Sequence, residues 1–177
     1  MRRRPQILVP VTLCILTTMC LLFPRAAHAS EAPSFRNDVM AVISKAGCNM
    51  GTCHGNANGK GGFRLSLRGE DPVGDYFVLT RGQFGRRIDA IDPAASLLLK
   101  KPTTQVAHQG GKRFDIDSLE YRILSQWIEA GAPRDDRQSP RLVSLDVTPT
   151  ESVVIAPTTH VQVRTTATFS DDATRDV

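Results

Sequence analysis

The chain has 177 residues, with 22 Lys+Arg against 18 Asp+Glu, giving a formal charge of +4 and a pI near 9.1. Residues 1–29 hold Arg2, Arg3, Arg4 and Arg25 and no acidic residue, which leaves 18 basic and 18 acidic side chains in a formally neutral remainder. A neutral body argues against nucleic-acid binding, which needs a basic face, and 41% apolar residues argue against a disordered chain.

The N-terminal segment opens with a basic Met1-Arg-Arg-Arg, continues with an apolar stretch from Ile7 to Phe23, and reaches Ala27-His28-Ala29. This pattern predicts a signal peptide over 1–29, cleaved after Ala29, and hence an exported protein, periplasmic or extracellular. A retained membrane anchor is the rival reading, and the small residues at the cleavage site favour removal. A lipid-modified Cys20 is rejected, because Met19 is too bulky for the position before it. Cys14 and Cys20 leave with this segment, so the exported chain keeps Cys48 and Cys53 in an oxidising compartment.

Ser34 is a good N-cap for a first helix whose Phe35, Val39, Val42 and Ile43 share one face, and Gly47 ends it. Phe63-Arg-Leu-Ser-Leu67 alternates and reads equally as a short strand or an extended loop. Asp92-Pro93 opens a second short helix through Leu99. Asp117 as N-cap, with Glu120 at N3, predicts a third helix. There Ile116 and Tyr121 would form a staple, and Leu119, Ile123, Leu124, Trp127 and Ile128 a buried stripe; Gly131 and Pro133 stop it.

Residues 134–140 are charged, lie between prolines and read as a linker. Beyond them, Leu142–Val147 and Val161–Phe169 alternate as half-buried strands, and Asp171-Asp172 marks a turn. About 37 residues cannot close a β-sandwich, which takes on the order of 100. Further C-terminal domains in the natural product are therefore expected.

The chemistry gathers in Cys48-Asn-Met-Gly-Thr-Cys53-His54. Two cysteines with a histidine directly after the second are the arrangement that attaches haem by two thioethers and ligates its iron from one face. The gap here is four residues rather than two, so the loop must bulge, and Gly51 is expected to supply the freedom. Two other readings stay open: a Cys48–Cys53 disulfide, and a zinc or copper site made by the cysteines with histidines. Under the haem reading, Cys48 and Cys53 hold the cofactor and His54 is the proximal ligand. The distal position has four candidates: Met40, Met50, His108 and His160. His108, on a loop just ahead of the last helix, is preferred. Lys60, Arg64, Lys112 and Arg113 are candidates to pair with haem carboxylates. Arg86-Arg87 and Lys100-Lys101 read as solvated surface, with partner docking as a second option.

These stretches resemble the planctomycete-type cytochrome c domain of large exported bacterial proteins. The likeness rests on Cys48-Asn-Met-Gly-Thr-Cys-His-Gly55, Gly59–Leu67, Asp92–Leu99, His108-Gln-Gly-Gly-Lys-Arg-Phe114 and Gln126–Pro133. Many relatives carry a Met-Pro-Pro segment that supplies a methionine ligand, and this chain has His108 in about that place. Residues 141–177 are similar to the opening strands of a group 2 bacterial immunoglobulin-like domain, notably in Leu145-Asp-Val-Thr-Pro149 and Ala167–Val177. The resemblance implies a mainly α c-type cytochrome fold over 34–133, followed by an incomplete all-β immunoglobulin-like sandwich. It also implies one covalent haem c and one-electron transfer to a redox partner protein, while the cleavage pattern at Ala29 predicts no membrane anchor after cleavage. No acid/base pair or nucleophilic triad stands out, so the chain reads as an electron-transfer module rather than an enzyme. The contrasting reading is an adhesion or binding module stapled by the disulfide, with an immunoglobulin-like spacer and no haem.

Overall fold

The computed structural model describes residues 32–157 and 159–177. The expected signal peptide lies outside the described residues. Among them no helix is long and apolar enough to cross a membrane.

Ser34 opens the first helical segment, its Oγ accepting from the Asn37 amide at 3.0 Å. A wide π-type turn over Phe35–Val39 leads into α1, Met40–Lys45. Phe35, Val39, Met40, Val42 and Ile43 are all buried, so Met40 is a core residue. Gly47, at φ +75°, ends the segment in a Schellman motif: its amide donates to Ser44 O at 3.0 Å and that of Cys48 to Ile43 O at 3.0 Å. The helix end thereby delivers Cys48 at a fixed position.

Phe63–Leu67 forms no strand. It is an extended loop that follows an isolated Lys60–Phe63 bridge. A helix the sequence reading did not anticipate, α2, spans Pro72–Thr80. Asp71 caps it by accepting from Gly74 N, and Pro72 takes its first position. The short helix after Asp92 is broken in two, a 3₁₀ turn at Pro93–Ala95 and α3 at Leu97–Lys100, because Ser96 is extended at φ −57° and ψ 131°.

The last helix, α4, runs Leu119–Glu129 and is capped by Ser118, not Asp117, with Ser118 Oγ accepting from Tyr121 N at 3.1 Å. This shift by one residue moves Glu120 from N3 to N2, so the expected capping box is not made. It also leaves Ile116 and Leu119 exposed, without the predicted staple or their place in the stripe. Leu124, Trp127 and Ile128 are buried as the stripe requires. Trp127 packs at 5.4 Å from the Phe35 ring, which meets Tyr76 of α2 edge-on at 5.2 Å. These aromatics join three helical segments into one core. Their polar atoms are satisfied at the end of α4, Trp127 Nε1 on Pro133 O at 2.9 Å and Tyr76 OH on Ala132 O at 3.0 Å.

The segment read as a linker is bound back to the first helical segment: Arg36 N donates to Asp135 Oδ2 and Asn37 Nδ2 to Pro140 O, both at 2.7 Å. Three strands follow, β1 Leu142–Thr148, β2 Arg164–Phe169 and β3 Thr174–Asp176, in one antiparallel sheet of order β1-β2-β3. The Asp171-Asp172 turn joins β2 to β3. β2 buries Ala167 and Phe169, whereas β1 is exposed on both faces instead of half-buried.

Candidate functional site

From Cys48 the chain coils tightly. Cys53 N and Gly55 N both donate to Met50 O, at 2.9 and 3.0 Å, and His54 N donates to Cys48 O at 2.9 Å. Asn49, buried inside the coil, donates to Ser44 Oγ and accepts through its carbonyl from Arg68 N. The four-residue gap between the cysteines is accommodated by close backbone approach rather than by Gly51. Gly51 has no left-handed backbone, and a Cβ there would come no nearer than 4.0 Å to Leu67 Cδ1. Gly55 is the position without room: a Cβ there would fall 1.9 Å from Asn49 O.

Cys48, Cys53, His54 and His108 all line one cavity of about 830 Å³, within the roughly 300–1,000 Å³ of small-molecule and cofactor sites. The other distal candidates are elsewhere. Met40 is in the core, Met50 is exposed on the coil, and His160 is exposed with Thr159. Neither Met40, Met50 nor His160 borders the cavity.

His54 Nδ1 is 3.0 Å from Phe63 O, and His108 Nδ1 is 2.9 Å from Gly111 O. A carbonyl only accepts, so each Nδ1 carries the hydrogen and each Nε2 keeps its lone pair. This is how proteins orient metal-binding histidines from behind. The rings are nearly parallel, 10° apart in plane, with centroids 6.5 Å apart. Burial pushes the His54 pKa below its ordinary value, which favours the neutral, ligating form.

Cys48 and Cys53 are free thiols. Burial pushes the Cys48 thiol up to about 11, against the opposing charge of Arg113. Arg113 Nη2 also reaches Cys53 Sγ at 3.3 Å. Among the described residues no three His, Cys, Asp or Glu side chains group as a metal site. A tetrahedral zinc centre takes about four protein donors, whereas a haem brings its own nitrogens and asks the protein for one or two axial ligands.

Comparisons with protein-family models, with curated proteins and with solved structures find no match. The reading of the site therefore rests on its geometry.

Among the described residues, five cations line the cavity, Lys60, Arg86, Arg87, Lys101 and Arg113, and no carboxylate does. Among the described residues none of the five is in an ion pair. Of the expected carboxylate partners, Lys60 and Arg113 are at the cavity, while Arg64 is not and Lys112 pairs with Asp115. Arg86, Arg87 and Lys101, read from sequence as surface, belong to its wall, and Lys100 does not.

Arg87 was the residue hardest to see in the sequence. It is buried, donates to Val78 O, Gly82 O and Gly62 O, and lies 4.4 Å over the Phe63 ring. Phe63 in turn packs 4.5 Å from the His54 ring. Arg87 therefore fastens the His54 side of the cavity to the C-terminal end of α2.

Proposed function

We propose that the chain is an exported c-type cytochrome module that carries one covalent haem and transfers single electrons. The fold expectation belongs to the same proposal: a mainly α cytochrome domain, followed by part of an immunoglobulin-like sandwich. The observation that carries the reading is the pair His54 and His108, each pinned through Nδ1 and facing one cationic cavity that two cysteines also border.

The residues fit the group chemically. Cys48 and Cys53 would hold it through thioethers, and His54 and His108 would ligate its iron. Its two carboxylates suit a wall with five cations and no acidic side chain. The haem, when bound, supplies the one-electron couple. The protein's own residues do the rest. Phe63 O and Gly111 O fix the tautomers of the two histidines, and Arg87 holds Phe63 behind His54. Leu65, Leu97 and Leu98 supply apolar wall that limits water. Two nitrogen ligands, with no thioether on the iron, predict a lower potential than a His/Met site of similar burial.

The test is expression in a periplasm equipped for haem attachment, followed by an absorption spectrum and an intact mass. A red protein heavier by one haem supports the proposal. A colourless protein two hydrogens lighter than the dithiol form would instead favour a disulfide-stapled binding module.

A further inference from the structure

The two histidines are held in unequal ways. His54 is anchored at three points outside its own turn: Nδ1 on Phe63 O, its carbonyl accepting from Leu65 N at 2.8 Å, and its amide on Cys48 O. Phe63 is itself fixed by the paired bonds to Lys60 and by Arg87. Opening this side breaks all of these together.

His108 is anchored only within its own turn. Its Nδ1 and its carbonyl both bond Gly111, three residues on. Among the described residues, every hydrogen bond of residues 103–111 stays within residues 99–111. The loop closes at its base through Arg113 N to Pro102 O at 2.7 Å. Beyond the buried Thr103 at its base, the loop can therefore swing away without breaking a hydrogen bond to the rest of the molecule, and segments held this way open at low free-energy cost.

Resting on the haem reading, we propose that His108 is an exchangeable sixth ligand and that the cavity admits a small inorganic anion in its place. In the exchange the bond from iron to His108 Nε2 breaks, the imidazole leaves neutral with its lone pair, and the anion's lone pair forms the new bond. No electron changes owner and no proton is required. The anion is favoured by the wall, where five cations exceed the two carboxylates of a haem. Lys60 and Arg86 make no side-chain hydrogen bond or ion pair among the described residues and are free to attract it.

Ferric haem-bearing protein is mixed rapidly with azide, and with imidazole as a neutral comparison. The expected rates level off with rising ligand at one common ceiling, set by departure of His108. His108→Ala abolishes the ceiling and tightens azide binding on the order of tenfold to a hundredfold, since the competing ligand is gone. Arg86→Gln weakens azide severalfold and leaves imidazole unchanged. In the protein without haem, hydrogen exchange at the Gly111 amide should be at least tenfold faster than at Leu65. A haem-bearing protein that gives no azide spectrum at millimolar ligand overturns the exchange. So do rates that rise without limit and are unaffected by His108→Ala, or equal protection of Gly111 and Leu65. A protein whose mass gains no haem fails the reading beneath the proposal, and the proposal with it.

Discussion

His54 and His108 stand with ring centroids 6.5 Å apart and planes within 10°, although they are 54 positions apart in the chain. In each, a backbone carbonyl holds Nδ1 and leaves the lone pair on Nε2. Gly110 makes this possible on the His108 side. A Cβ there would lie 2.9 Å from His108 Cε1 and 3.1 Å from Nε2. Gly110→Ala is therefore expected to push the ring off its position and give a high-spin ferric fraction in the haem-bearing protein. Gly61→Ala, whose added Cβ meets nothing within 4 Å, should leave the spectrum unchanged despite some backbone strain at φ +59°. An absorption spectrum of the two variants checks this.

Arg87 provides a prediction about stability. Arg87→Met keeps much of the stem but removes the guanidinium bonds to the carbonyls of Val78, Gly82 and Gly62, of which Gly82 O keeps the Gly85 amide, and uncovers Phe63. The expected loss is about 2–4 kcal/mol in urea denaturation. Arg87→Lys should recover only part, because one ammonium cannot reproduce the planar fork and its stacking.

Asp75 sets a pH dependence. It is buried on α2 and accepts from both Ser66 N and Ser66 Oγ at 2.6 Å. Burial pushes its carboxyl above the ordinary value of 3.8, with the Ser66 bonds opposing. A raised folded-state value means that the folded protein holds this proton more tightly than the unfolded chain does. The contribution to stability is then fully present below pH 3.8 and is lost as pH rises through the folded value. The stability of wild type minus that of Asp75→Asn, measured in urea from pH 3 to 7, should drift against wild type as pH rises. The opposite drift would mean that the Ser66 bonds outweigh burial.

Much of this arrangement is legible in the sequence where a local rule governs it. Ser34, the glycine at the end of α1 and the buried stripe of α4 follow from capping and 3.6-residue periodicity. The cysteines and His54 are visible as a motif. α2 is hidden in the sequence because Val73 and Phe77 are exposed and Asp75 is buried, which blurs its apolar face. Its Asp71-Pro72 start is nevertheless the same signal that marks Asp92-Pro93. The choice of Ser118 over Asp117 as cap turns on which side chain reaches a free amide, and both residue types suit that role. Arg87 could not be recognised from composition, since its partners are backbone carbonyls brought together only by folding. The same holds for the cations of the cavity wall: charge counted along residues 30–177, which are formally neutral, does not reveal that five positive side chains face one space.

The most direct test is the intact mass and spectrum of the chain expressed in a periplasm equipped for haem attachment, beside Cys48→Ser with Cys53→Ser. The account predicts a red protein, heavier by one haem that denaturation does not release, with a low-spin ferric spectrum. The double variant should lose the covalent attachment. A wild-type chain that stays colourless, with Cys48 and Cys53 joined as a disulfide, would contradict it.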